Sequence, residues 1–207
     1  MSRFSWASPM QRTSIILLAC VLVVSAAAGW SLWQLADRPA SEQGAEFSAA
    51  SIGGPFSLVD QDGRARTEKS FRGKWVLLYF GYTYCPDVCP TTLAVMAKTL
   101  DGLGKKSERI VPVFISVDPE RDTPAVLKSY LASFGSRFTG LTGKPAEIAK
   151  VAHSYRVYYA KHPLGNGNYA VDHSSVIYLL DPQGKFVKVY DDSAAPKAIA
   201  DDLKTLL

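Results

Sequence analysis

Two runs of residues constrain the fold more than any other feature of the chain. Trp75-Val76-Leu77-Leu78-Tyr79-Phe80 is wholly apolar, and residues 110–117 (IVPVFISV) are almost so. A strand with one wet face alternates apolar and polar residues, whereas a strand covered on both faces does not. Both runs therefore read as inner strands of a covered sheet, with Pro112 an awkward member of the second. Between them Leu93, Met96, Ala97 and Leu100 recur at helical spacing. Pro90 can open that helix as its first residue, and Gly102 and Gly104 can stop it. Strand, helix and strand make a parallel βαβ unit.

The remaining elements follow from shorter signals. Residues 56–59 read as a short strand before an Asp62-Gly63 turn. Thr123-Pro124 caps and opens a second helix, with Val126, Leu127, Tyr130 and Leu131 on its inner face. Residues 142–155 read as a third helix, with Pro145 near its start and Ile148, Val151 and Ala152 inward. Residues 175–180 and 186–190 are strands joined by Asp181-Pro182-Gln183-Gly184, hence an antiparallel hairpin. Residues 196–207 form a closing helix. The expected fold class is α/β, a thioredoxin-like mixed sheet flanked by helices.

Ahead of this domain lies a different kind of sequence. Residues 14–33 (SIILLACVLVVSAAAGWSLW) carry no charge, and about 20 apolar residues suffice for a helix to cross a bilayer. Trp30 and Trp33 stand at one end of the run, as interfacial aromatics do. Arg3 and Arg12 precede it and Arg38 alone follows closely, which favours a cytoplasmic N-terminus. The resulting division is 1–13 cytoplasmic, 14–35 transmembrane anchor, 36–53 an Ala-, Ser-, Gly- and Glu-containing linker with Pro39, and 54–207 the folded domain. Two rival readings use the same run. Ala26-Ala27-Ala28 resembles a signal-peptidase site, and Leu17-Leu18-Ala19-Cys20 resembles a lipoprotein site, although the apolar run continues past Cys20.

Composition excludes several classes. The chain has 207 residues, with 23 basic against 19 acidic and a formal charge of +4. That excess is too small for a nucleic-acid-binding face. Three cysteines are too few for a disulfide-built scaffold, so the fold rests on its own core.

Chemistry concentrates in Gly81-Tyr82-Thr83-Tyr84-Cys85-Pro86-Asp87-Val88-Cys89-Pro90, between the first buried strand and its helix. In such sheets ligands bind at the carboxyl ends of the strands. A helix N-terminus also favours thiolate over thiol. Three residues separate Cys85 from Cys89, so the pair can close a disulfide or hold one metal ion. His173, in Val171-Asp172-His173-Ser174-Ser175, precedes a strand of the terminal hairpin, in a turn that faces the cysteine loop in a thioredoxin-like sheet. It is the candidate third ligand. His153 and His162 read as surface or packing residues, and Met96 as core. Two thiolates and an imidazole suit Cu(I), which accepts low coordination. Structural zinc would want a fourth donor. Asp118-Pro119-Glu120-Arg121-Asp122-Thr123-Pro124 follows the second buried strand at the same edge. It lacks the glycine and the terminal glutamate of a calcium loop and reads as a loop ending in a helix cap. Asp118 and Asp87 are the carboxylates expected around the ligands.

With these motifs in this order, the chain resembles the SCO/SenC family, copper proteins required for cytochrome c oxidase assembly. The resemblance rests on Gly81-Tyr82-Thr83 with Cys85-Pro86-Asp87-Val88-Cys89-Pro90, on residues 118–124, and on Val171-Asp172-His173-Ser174. It implies a thioredoxin fold facing the bacterial periplasm or a mitochondrial intermembrane space. It implies copper ligands at Cys85, Cys89 and His173, carrying Cu(I) and also Cu(II). It implies delivery of copper, or of reducing equivalents, to the dinuclear copper site of oxidase subunit II, with an upstream periplasmic copper donor. The chain then reads as a membrane-anchored metallochaperone rather than an enzyme. The alternative is a thiol–disulfide oxidoreductase in which one of Cys85 and Cys89 attacks and the other resolves. Against it, the position of the thioredoxin cis-proline is occupied by Asp172-His173-Ser174-Ser175. A thiol peroxidase of the same fold fits the paired cysteines and His173 less well.

Overall fold

The computed structural model describes residues 52–207. Strands β1 (Ser57–Asp60) and β2 (Ala65–Thr67) precede β3 (Trp75–Gly81), helix α1 (Val88–Leu103) and β4 (Ile110–Ser116). Then come α2 (Pro124–Ala132), β5 (Thr139–Thr142) and α3 (Pro145–Ser154). Strands β6 (Tyr159–Gly165), β7 (Asn168–His173), β8 (Val176–Leu180) and β9 (Phe186–Asp191) lead to α4 (Pro196–Leu206). Seven strands share one sheet in the order β2-β1-β5-β4-β3-β8-β9, and β6 pairs only with β7 in a second, two-stranded sheet. The βαβ unit is parallel, with Trp75 opposite Ile110 and Gly81 opposite Ser116. β8 runs antiparallel to β3 and to β9, so the sheet is mixed, as expected.

The apolar run of β3 is explained by its place between β4 and β8. Every residue from Val76 to Gly81 is buried. Successive side chains on a strand point to opposite faces. Tyr79 lies 6.2 Å from Phe114, whose ring is 6.1 Å from Tyr130 of α2. The hydroxyl of Tyr79 also reaches Cys89 of α1. Phe80 points the other way, 5.5 Å from Tyr155 at the end of α3 and 6.0 Å from Tyr178 of β8. Helices therefore cover both faces. α4 packs along α1.

Four details differ from the sequence reading. Helix α1 opens at Val88 with Asp87 as N-cap, so Pro90 is its third residue. Proline is tolerated there because the first N–H groups of a helix have no intrahelical partner. Thr142 ends β5 and pairs with Val59 instead of starting a helix, and α3 begins at Pro145. His173 is the last residue of β7, not a turn residue. Strands β2, β5, β6 and β7 carry no pattern that distinguished them: they are short or rich in exposed polar residues. Pro112 fits because the β5 ladder starts only at Val113. Among the described residues no helix is long and apolar enough to cross a membrane; the expected span 14–35 lies outside the described residues.

Candidate metal centre

The carboxyl end of β3 runs directly into the cysteine loop. Gly81 is required at that junction. A Cβ there would sit 2.8 Å from Cys89 Sγ and 2.9 Å from the Phe114 ring. The bare backbone lets Cys89 pack flush against the strand, and Cys89 is fully buried. Cys85 lies in the turn before α1 and is half-buried. Its sulfur accepts the backbone N–H of Cys89 at 3.4 Å, while the Asp87 side chain makes no capping hydrogen bond. Cys85 thus caps the helix in place of the usual oxygen, satisfying one of the orphan N–H donors.

That arrangement splits the two thiols electrostatically. The Cys89 side chain, as hydrogen-bond donor, holds the Cys85 pKa down, to about 5, against the opposing effect of burial; the N–H groups of Cys89 and Asp87 and the His173 ring add to the lowering. The same pairing with Cys85, together with burial, pushes Cys89 up. In the metal-free pair the half-buried sulfur is the more acidic and the buried one the less acidic.

His173 completes the group from 84 residues further along. Its Nε2 lies 3.2 Å from Cys89 Sγ, and its Nδ1 lies 3.0 Å from the carbonyl oxygen of Ser174. A carbonyl only accepts, so Nδ1 carries a proton, and in the neutral ring the Nε2 lone pair faces the sulfurs. The rings of Tyr79 and Tyr82 pack edge-on against the imidazole at 6.0 and 5.9 Å. The ligand atoms of Cys85, Cys89 and His173 all lie within 4.8 Å of one another. They form a group able to hold a metal ion. Met96 is fully buried in the core. His153 is exposed on α3, and His162 pairs with Asp172 at 2.8 Å on the hairpin.

The Asp118 loop stands beside this group with hydrogen bonds of its own. Asp118 is fully buried and is paired with Arg121 and with the hydroxyl of Tyr169 at 2.6 Å. Asp122 accepts from Thr83 N at 3.0 Å, Thr83 Oγ1 at 2.6 Å and Ser116 Oγ at 2.6 Å, which ties the cysteine loop to the end of β4. Burial nonetheless holds its carboxyl above the usual carboxylate range. Asp87 is exposed at the head of α1. Sequence reasoning missed Tyr79, whose hydroxyl lies 3.7 Å from Cys89 Sγ and 3.2 Å from Ser175 Oγ. The one available signal was a tyrosine in a strand covered on both faces, since a buried phenol needs a partner.

The sequence profile of the SCO1/SenC family matches residues 44–207. The chain belongs to the SCO1/SenC family. Among relatives of this SCO1/SenC chain, the mitochondrial protein SCO1 homolog 1 of Arabidopsis thaliana is 50% identical over 152 residues, 73% of this chain and 46% of the relative. The chain therefore spans less than half the length of that relative. The solved structure of Bradyrhizobium japonicum ScoI with copper bound is 52% identical, with a TM-score of 0.72 over 75% of this chain and 99% of that one. BsSco, a member of the Sco family of cytochrome c oxidase assembly proteins with a disulfide switch, is 31% identical. Its TM-score is 0.62 over 75% of this chain and 93% of that one.

Proposed function

We propose that this chain is a membrane-anchored copper metallochaperone that assists assembly of the dinuclear copper site of cytochrome c oxidase subunit II. Residues 14–35 anchor it, with 1–13 in the cytoplasm, 36–53 as tether and 54–207 as the copper domain. The domain faces the periplasm from a bacterial inner membrane, or the intermembrane space from a mitochondrial inner membrane if the source is eukaryotic. An upstream periplasmic protein supplies the copper.

One observation carries this reading: two sulfurs and an imidazole nitrogen with its lone pair turned inward converge within 4.8 Å. The donor set fits copper. Among the described residues no fourth His, Cys, Asp or Glu joins the group, which disfavours structural zinc and suits a soft ion content with few ligands. Cys85, Cys89 and His173 would hold the ion, and Asp87 and Asp118 lie near them without ligating. Bound copper is the cargo. The protein's own part is to hold Cys89 buried against β3 while Cys85 stays half-buried, where a partner's ligand can approach.

Copper content of the purified, reduced full chain tests the reading, measured beside His173→Ala. One copper per chain, with Cu(I) affinity lower in the variant, is the expected result. Equal affinity in both removes His173 from the site. A second reading, a thiol–disulfide oxidoreductase that reduces the copper-ligand cysteines of the oxidase subunit, is favoured by one feature. The half-buried thiolate of Cys85 has the character of an attacking sulfur and Cys89 that of a resolving one. No copper retention together with fast thiol exchange would favour it.

A further inference from the structure

The imidazole and the thiols reach the centre by different routes. Cys85 and Cys89 sit on the β3–α1 junction of the main sheet, whereas His173 ends a two-stranded sheet that shares no ladder with it. An isolated hairpin is marginal in water. The chain rejoins the main sheet only at Val176, just after His173, so side-chain contacts along β7 share in fixing where His173 stands.

Tyr169, Val171 and His173 alternate along β7 and so share one face. Val171 is buried. Tyr169 is gripped from three sides. Its hydroxyl donates to Asp118 at 2.6 Å, its carbonyl accepts from Arg121 Nη1 at 2.9 Å, and the Arg121 guanidinium lies 3.7 Å from its ring centroid. The same guanidinium is 4.7 Å from the ring of Tyr84, next to Cys85, and 5.7 Å from that of Tyr82. Tyr82 in turn packs edge-on against His173. Lys161 of β6 reinforces the attachment by pairing with Glu120 at 2.7 Å. Arg121 holds this position at a cost. Its Nη2 is buried with no hydrogen-bond partner, and an unsatisfied buried donor is ordinarily avoided.

We infer that Asp118, Arg121 and Tyr169 form a clasp that positions His173. The clasp joins the cysteine loop, the loop after β4 and the hairpin, so it sets the distance between imidazole and thiols. Arg121 and Tyr169 are positioning residues that act through His173. Loosening the clasp lets the hairpin carry His173 away from Cys89, which weakens the three-donor group without removing a donor. This rests on the assignment of His173 as a copper ligand.

The test uses Arg121→Ala and the milder Tyr169→Phe, which keeps the ring and loses only the hydroxyl. Two measurements are made on the full chain. In the reduced, metal-free protein, the nitrogen-15 spectrum of the His173 imidazole reports its setting. It is expected to move toward that of a free histidine in Arg121→Ala and to broaden or shift in Tyr169→Phe. Cu(I) affinity, by competition with a chromophoric chelator, is then compared in wild-type and His173→Ala backgrounds. Outer residues that orient a ligand are typically worth about 10–100-fold in affinity. Arg121→Ala is expected to cost about that much in the wild type and almost nothing once His173 is gone. Equal losses in both backgrounds would mean general destabilisation and would overturn the clasp. So would an unchanged His173 signal in both variants. If His173→Ala itself leaves affinity intact, the ligand assignment fails, and the metal-free spectrum alone decides the clasp.

Discussion

The two halves of the metal centre are built differently. The thiol half grows out of the main sheet: β3 is buried from Val76 to Gly81, Cys89 is fully buried in the first turn of α1, and Cys85 caps that helix. The imidazole half stands on β6–β7, where Leu164 is 70% exposed, and Tyr158, just ahead of β6, is 64% exposed. One half is built on the buried core. The other is joined by the short segment from His173 into β8 and by side chains, chiefly Tyr169. The centre thus draws two donors from the main sheet and its helix and one from a separate hairpin.

The thiol half should fail with the core. Phe80→Ala removes a ring wedged between Tyr155 and Tyr178. It should cost about 3–5 kcal/mol of unfolding free energy, read from the denaturant midpoint. A loss under about 1 kcal/mol would show that β3 is less central than its burial implies.

Gly81→Ala is the finer probe. The new methyl would lie 2.8 Å from Cys89 Sγ, so the sulfur must move. Overpacking should cost about 1–3 kcal/mol, with a drop in Cu(I) affinity alongside it. Unchanged affinity would mean that the thiol half is also adjustable, and the contrast between the halves would disappear.

A third probe is the pH dependence of the reduced, metal-free protein. Cys85 has a folded pKa of about 5 against an ordinary value of 9.0. Between those values the folded chain holds fewer protons than the unfolded one, so stability should rise with pH. The contribution is complete above the unfolded value and is lost as pH falls through about 5. Above the ordinary thiol value Cys89, held as a thiol, pulls the other way. Alkylation of Cys85 by iodoacetamide should be half-maximal near pH 5. A midpoint near 8–9, the range of a free thiol, would remove the thiolate from the site.

How much of this was legible in the chain follows from range. The thiol half is local: an apolar run, a loop with two cysteines and a helix follow one another between residues 75 and 103. Hydrophobic period and turn chemistry suffice to place such a unit. The terminal β8–β9 hairpin and α4 were legible for the same reason, and the His173 motif was placed facing the cysteine loop, though in a turn rather than at the end of β7. β5 was misread at Thr142 because four residues, one of them Gly140, show no period. The β6–β7 hairpin was missed because YAKHPLG and NYAVDH carry no clean alternation.

By itself, then, the sequence determined the covered mixed sheet, the edge at which the two cysteines emerge and the soft character of the donors. Only the tertiary structure decided that Nε2 of His173 faces Cys89, that Gly81 makes room for Sγ, and that Arg121 lies among Tyr82, Tyr84 and Tyr169. Those contacts join residues up to 84 apart. They depend on how strands pair and rings stack across the fold, which the order of residues along one strand or helix does not encode.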